Sequence, residues 1–338
     1  MRIIVLGFGN VAQPFVKILC EREKELSGNF GLKPRVVAVV DRGGAIVSSS
    51  GLNFTRILEA KKLGKSVAAD TKLGRPRTTG MEIIEEVEAD VVVEATPTNI
   101  VDGEPGLSFI KAALKKKRNV IATNKGPLAI ALPSLMELAR YNGVCLRFSG
   151  TVGGGTPLLD LGKKCLLGDK IQSIKGILNG TTNYILARMT EARVQMDDAL
   201  KEAQAAGYAE ADPTYDVKGI DSACKLVILA NWLMDRRITI KDVNISGITE
   251  VTLNEIVKAE EEKAAIKLIA SINGGEASVS PRLLPKNHPL CVGGTLNAVT
   301  FTTEFAGEIT LVGHGAGGVQ TAGAVLRDLI DIKRELSL

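Results

Sequence analysis

Histidine and tryptophan are nearly absent: the 338-residue chain has two histidines, His288 and His314, and one tryptophan. Two histidines argue against a His-rich zinc site and against a zinc alcohol dehydrogenase. Excess charge of one sign is also missing. The 42 basic and 38 acidic residues leave a net charge of +4, too little to argue for a nucleic-acid partner and compatible with an enzyme that binds an anionic cofactor. Five cysteines (Cys20, Cys145, Cys165, Cys224, Cys291) stand apart without a CxxC pair, which reads as reduced, buried thiols of a cytoplasmic protein. Long hydrophobic runs are lacking too. The longest apolar stretches, such as Leu226 to Leu229, fall far short of the roughly 20 residues that span a bilayer. The N-terminus runs straight into an apolar strand at Ile3 to Leu6, so neither a signal peptide nor a membrane association is expected.

What is present is ordinary globular material, 45% hydrophobic and 24% charged, in a chain longer than one core usually supports (about 250–300 residues). Two lobes are expected. In the first, short β-rich runs alternate with helical patterns: a strand into a glycine turn, a helix over Val11 to Glu25, a polar loop over Ser27 to Pro34 and a strand over Arg35 to Val40. The runs DVVVEAT (Asp90 to Thr96) and NVIAT (Asn119 to Thr123) are continuous apolar strands, separated and followed by helices over Gly106 to Arg118 and Pro133 to Asn142. Continuous apolar strands between helices mark a parallel, doubly wound sheet.

The pattern changes at SGTVGGGTP, from Ser149. A strand (Ile171 to Leu178) and three helical segments follow (Thr181 to Thr190, Met196 to Ala206, Ile220 to Trp232), then β-like runs over Ile266 to Ile272, Ala277 to Leu284, Ala298 to Phe305 and Ile309 to Val312. A glycine turn and a closing helix return to the first lobe. The expected fold class is α/β: a Rossmann-type doubly wound nucleotide-binding domain (1–135 with 315–338) plus an α/β catalytic domain with a mixed sheet (136–314).

Gly7-Phe8-Gly9-Asn10-Val11-Ala12 follows a strand and opens a helix. Gly7 permits the tight turn, Gly9 admits a pyrophosphate, and Ala12 is the small residue needed for helix–strand packing. Free N–H groups at the helix start suit the phosphates. Asp41, closing the second strand, is placed to hold a ribose 2′-hydroxyl, whereas Arg42 could hold a 2′-phosphate, so NAD and NADP are both open. Glu94 to Thr98 and Ala122 to Lys125 fall at strand ends, where open α/β sheets bind ligands.

The densest chemistry lies in GYAEADPTYDVKGIDSACKL (207–226). Glu210, Asp212 and Asp216 sit in a loop rich in turn residues. Asp221 and Lys225, four apart, share one face of a helix so apolar that it must be buried. Carboxylates beside a buried lysine suit an amino-acid-like ligand: the acids would bind its ammonium, and Lys225 would protonate an alkoxide formed by hydride addition. The alternative is a structural ion pair. Thr181 or Thr182 in NGTTNY reads as an N-cap, or as a hydroxyl beside the substrate carboxylate.

Together GFGNVA, ATNKGPLA, SGTVGGGTP, ILNGTTNYIL, the 207–226 loop and GHGAGGVQTAGAV resemble the homoserine dehydrogenase family, in family order over almost the whole chain. The resemblance implies NAD(P)-dependent interconversion of L-aspartate 4-semialdehyde and L-homoserine in threonine and methionine biosynthesis, by a cytoplasmic homodimer. It implies Lys225 as proton donor and acceptor, Lys125 near nicotinamide and substrate, Glu210 as the grip on the substrate amino group, and Asp216 and Asp221 as orienting acids. Asn10, Val11, Thr96, Lys125 and the Gly315–Gly317 turn match cofactor-contacting positions. Val152, Gly154 and Thr156 match backbone ligands of a monovalent cation, sodium. Ser149 departs from a more usual glutamate, Thr156 from a hydrophobic residue and His314 from proline. No appended regulatory domain is expected. Aspartate-semialdehyde dehydrogenase chemistry needs a Cys–His pair, and neither histidine stands in such a context. A non-catalytic NADP-sensing protein of the same fold is the alternative, disfavoured by the retention of both lysines.

Overall fold

The computed structural model describes residues 1–337. The chain divides into two compact units, one formed by Met1–Thr151 together with the segment from Gly317 onward, the other by Val152–Ala316.

The first unit is built on a seven-stranded sheet: β1 (Arg2–Leu6), β2 (Arg35–Asp41), β3 (Gly44–Val47), β4 (Gly74–Pro76), β5 (Val91–Glu94), β6 (Asn119–Ala122) and β7 (Leu146–Arg147), in the order β4-β3-β2-β1-β5-β6-β7. β2, β1, β5, β6 and β7 are parallel. β3 and β4 are antiparallel additions at one edge, so the sheet is not the purely parallel one expected. The central strands are Val/Ile-rich and buried along their length, as a sheet covered on both faces requires.

Helices α1 (Ala12–Glu21), α2 (Glu23–Phe30), α3 (Phe54–Gly64), α4 (Gly80–Glu86), α5 (Gly106–Lys115) and α6 (Lys125–Tyr141) connect these strands. α1 buries Ala12, Phe15, Val16 and Leu19, a three-and-four spacing that makes one apolar face. Where the sequence suggests one helix to Glu25 and then a loop from Ser27, the chain leaves helical geometry at Arg22 and resumes as α2, pinned by buried Leu26 and closed by left-handed Gly31. α6 begins eight residues before Pro133; a kink at Ala131 sits just ahead of that proline and hides the first half from a reading that starts a helix at a proline. The unit continues to Thr151 rather than ending at 135, because β7 hydrogen-bonds to β6.

The second unit holds a mixed six-stranded sheet of β8 (Ile171–Ile177), β9 (Val243–Ile245), β10 (Ala264–Asn273), β11 (Glu276–Pro285), β12 (Leu296–Thr303) and β13 (Glu308–His314), ordered β13-β12-β8-β10-β11-β9. Only the β11–β9 pairing is parallel among the described residues. Its helices are the single turn α7 (Leu158–Asp160), α8 (Gly180–Ala192), α9 (Met196–Ala205), the short α10 (Thr214–Val217), α11 (Ile220–Leu233) and α12 (Leu253–Glu261). Residues 222–230 of α11 are all buried, as its apolar composition requires.

Helix α13 (Gly318–Glu335) completes the first unit. Val325, Leu329 and Ile332 join Ile3, Val5 and Phe15 in one core. No helix among the described residues is long and apolar enough to cross a membrane. No disulfide joins any of the five cysteines among the described residues, but only Cys224 is buried; Cys20 and Cys165 are exposed. The expectation of buried thiols thus fails for those two, which lie on outward-facing helical positions.

Candidate active site

In the first unit the glycine turn has the form a dinucleotide needs. Gly7 adopts φ +87° and lies so close to the Ala95 carbonyl that a Cβ would overlap it, whereas nothing lies within 4 Å of a Cβ at Gly9. The first position must be glycine for the backbone; the second leaves open space for a phosphate. Val11 makes no side-chain cap at the start of α1; in the first turn Gln13 N donates to the Gly9 carbonyl at 3.1 Å and Pro14 has no N–H. The turn is braced by Gln13, whose Nε2 donates to the Phe8 carbonyl at 3.1 Å. Gly317 has φ +127°, and Gly318 abuts the Asn10 carbonyl. Gly318 and the N-terminal turn are therefore neighbours within the first unit.

Asp41 departs from its expected freedom to hold a ribose. Its carboxylate accepts hydrogen bonds from Lys61 Nζ (2.8 Å), Ser66 Oγ (2.6 Å) and the N–H groups of Val67 and Gly43 (both 3.0 Å). Burial pushes this carboxyl up, but those four donors outweigh it and hold it below the ordinary value. Arg42, the next residue, is exposed.

At the ends of β5 and β6 the chain makes a second constellation. Thr96 donates both its N–H (2.9 Å) and its hydroxyl to Glu94 Oε1. Asn124 caps α6 by accepting from Gly126 N at 3.0 Å and donates to Thr96 Oγ1 at 3.2 Å. The helix so capped begins with Lys125.

In the second unit the loop 207–226 and the start of α8 converge. Asp221 and Lys225 form an ion pair of 2.6 Å with side chains 12% and 7% exposed, the buried i,i+4 pair expected. Lys225 Nζ also donates to the Leu178 carbonyl at 2.7 Å. Asn179 Nδ2 donates to Asp216 Oδ1 at 2.6 Å and to Asp221 Oδ2 at 3.0 Å, drawing the two acids together. Burial, and then the Asp221 charge, push Asp216 above the ordinary carboxylate value; Asn179 and Lys225 oppose this. Asp216 lies in the short helix α10 rather than in a loop.

The N-cap of α8 is Asn179, not Thr181 or Thr182: its Oδ1 accepts from Thr182 N at 2.8 Å. Thr181 instead donates its hydroxyl to the Tyr208 carbonyl at 2.8 Å, fastening the 207–213 loop to the helix start. Glu210 is exposed, and its backbone carbonyl is held by Gln204. Among the described residues, no hydrogen bond or ion pair draws its carboxylate into the Asp216–Asp221–Lys225 cluster. Asn179 was the residue missed by the sequence reading; an asparagine three residues before a threonine at a strand–helix junction is its signal.

The loop after Ser149 has two left-handed glycines, Gly153 (φ +86°) and Gly154 (φ +54°). Val152 is buried, and Thr156 Oγ1 donates to the His314 carbonyl at 3.4 Å. Gly154 lies against Gly315, and Gly315 against the Asn297 amide. Both polar atoms of that buried amide lack a hydrogen-bond partner. A hard monovalent cation would need oxygen donors such as backbone carbonyls, which this loop's chain supplies without any acidic side chain. No group of three His, Cys, Asp or Glu able to hold a metal occurs among the described residues.

Residues 157–330 match the family model described as Homoserine dehydrogenase, and residues 1–116 match that of Glutamate/Leucine/Phenylalanine/Valine dehydrogenase. The chain is 42% identical over 332 residues to a homoserine dehydrogenase from Methanocaldococcus jannaschii, covering 98% of each chain. It is 39% identical over 338 residues to an NAD(+)-dependent homoserine dehydrogenase from Pseudomonas canavaninivorans, covering 98% of this chain and 96% of that one. A solved hyperthermophilic archaeal homoserine dehydrogenase in complex with NADPH is similar at TM-score 0.87 and 29% identity, covering 99% of this chain and 98% of the other.

Proposed function

We propose, from the premise that the chain belongs to the homoserine dehydrogenase family, that it catalyses NAD(P)-dependent interconversion of L-aspartate 4-semialdehyde and L-homoserine. The observation that carries this is the buried Asp221–Lys225 pair beside a second acid. When bound, the nicotinamide supplies or accepts the hydride. Lys225 gives a proton to the oxygen as the aldehyde is reduced and takes it back in the reverse direction. Asp221, 2.6 Å away, keeps the lysine aimed. Asp216, with Glu210 from the adjoining loop, holds the substrate ammonium, and the Thr181 end of α8 receives the substrate carboxylate. Lys125 adds positive charge near the reacting carbonyl. Such preorganised charge is worth roughly 10²–10³ in rate.

Gly7, Gly9, Asn10, Val11, Thr96, Lys125, Gly315 and Gly317 hold the cofactor. Among the two cofactors, NADP is favoured here. The Asp41 carboxylate is already occupied by four donors, so it offers little to a ribose hydroxyl, while Arg42 stands free to meet a 2′-phosphate. The carbonyls of Val152, Gly154 and Thr156 would hold a sodium ion that orders their loop. The cytoplasm as its compartment is supported by five scattered cysteines with no CxxC pair, and a homodimer by the open edge of β13, where Val312 is half exposed. Threonine and methionine biosynthesis is the process such a reaction serves.

The test is absorbance at the nicotinamide band with purified protein, L-homoserine, and NAD or NADP supplied separately. Homoserine-dependent reduction, faster with NADP, is expected. Folded protein that reduces neither cofactor would overturn the reading, and a clear preference for NAD would overturn the role of Arg42.

A further inference from the structure

Glu94 is a charged residue in the middle of a sheet with no exposed surface at all. It ends β5, with Leu6 of β1 and Ala122 of β6 opposite it. Burying a carboxylate demands either full pairing or neutralisation. Glu94 has neither in full. Oε1 takes the Thr96 N–H and hydroxyl, while Oε2 is buried without a hydrogen-bond partner. Space has been cleared around it: a Cβ on Gly106 at the start of α5 would lie 3.2 Å from the carboxyl carbon and 2.6 Å from Asn124 Nδ2. From α6 the neighbour is Asn124, and the ionisable group at that end of α6 is Lys125. Burial drives the Glu94 carboxyl up to about 7, against the opposing hydrogen bonds from Thr96 and Asn124.

The position within the fold says what this acid meets. The start of α1 fixes the pyrophosphate, and Asp41 and Arg42 at the end of β2 mark the adenosine side. The other half of a dinucleotide must then extend across the ends of β5 and β6, over Thr96, which hydrogen-bonds Glu94, and Asn124, which hydrogen-bonds Thr96. The ring there is cationic when oxidised and neutral when reduced.

We propose that Glu94 is a positioning residue that couples the charge of the nicotinamide to proton binding: it is ionised beneath the oxidised ring and protonated beneath the reduced one. This rests on the cofactor assignment made above. In the ionised state Glu94 attracts the cationic ring and accepts strongly from Thr96, which fixes the Thr96 and Asn124–Lys125 turns. In the protonated state it stops favouring a cation. Binding of oxidised cofactor therefore releases a proton to solvent, and reduction followed by exchange takes one up. The direction follows from linkage: a carboxyl with a raised value is drawn toward ionisation by an added cation, so affinity for the oxidised form rises with pH through neutrality and falls below it.

The experiment is calorimetric titration of the full chain at pH 7 with oxidised NADP or NAD, in two buffers of different ionisation heat. Buffer-dependent heat from a fractional proton release is expected, and Glu94→Gln should abolish that dependence. In parallel, the ratio of oxidised to reduced cofactor affinity should rise about threefold to tenfold in the wild-type chain between about pH 6 and 8. A flat ratio overturns the proposal even if the Glu94→Gln chain does not fold. Proton release unchanged in a folded Glu94→Gln chain overturns it as well. Failure of either nicotinamide cofactor to bind overturns the cofactor assignment itself, whereas binding without linked protons overturns the role of Glu94 alone.

Discussion

Replacing Lys225 by methionine separates the lysine's chemical role from its structural one. The ion pair to Asp221 spans 2.6 Å between side chains 7% and 12% exposed. At an effective dielectric constant of about 20 this separation gives a gross attraction of more than about 4 kcal/mol, most of it offset by desolvation. Deleting only the lysine leaves two carboxylates, Asp216 and Asp221, on one asparagine amide without the lysine's charge. That should cost about 3–5 kcal/mol, read as a lower urea midpoint. Adding Asp221→Asn removes the stranded charge, and the double variant should recover a large part of the loss, a coupling of about 1–3 kcal/mol. Turnover should not recover: both variants should fall at least about 10²-fold in kcat, measured by homoserine-dependent nicotinamide reduction, with cofactor affinity kept. A double variant as unstable as the single one would refute the ion-pair reasoning. A stable Lys225→Met chain with wild-type kcat would refute the proton role.

Asp216 must be ionised to hold an ammonium, and its folded value is raised by burial and by Asp221. The acid limb of kcat/KM for homoserine should therefore begin above the ordinary carboxylate range, and a limb below it would contradict this assignment. The same shift means that ionising Asp216 costs stability as pH rises from its unfolded to its folded value. Asp70 behaves oppositely: Arg56, at 2.6 and 2.8 Å, and the N–H groups of Leu73 and Lys72 hold it well below the usual carboxylate range. Its stabilisation is present above the unfolded value and is lost as pH falls through the folded one, so Arg56→Leu should move the acid-unfolding midpoint to higher pH, followed by circular dichroism. Gly315→Ala places a methyl inside the buried Asn297 amide and should destabilise the second unit by about 1–3 kcal/mol, seen as a lower melting temperature. An unchanged Tm would mean that the amide moves aside freely.

Elements with a strong apolar period were legible from the sequence. The central strands, α11 and the long strands β10 to β12 follow from runs of Val, Ile and Leu that have nowhere to go but a core. The small antiparallel strands β3 and β4 were not legible, because Gly44–Val47 and Gly74–Pro76 are too short to show alternation. In the site, the i,i+4 spacing of Asp221 and Lys225 announced the pair. Asn179, which joins the two acids, could not be read, since its role depends on a strand end meeting a helix 42 residues later in the chain. Asp41 misled for the same reason: the donors that occupy it come from Lys61, Ser66 and Val67, residues 20 to 26 positions away, on a helix and turn that carry little periodic signal.

The division of the first unit into two stretches of chain has a consequence for biosynthesis. Residues 1–151 leave the ribosome first, yet the core they build includes Val325, Leu329 and Ile332 of the final helix. The second unit is continuous and can close as soon as its own strands are made. The first lacks a wall of its interior until Gly318–Glu335 emerges, after the whole of the second unit. Of the two units, the one begun earlier is thus the one completed later, and its apolar core stays open on the α13 side while the second unit is made.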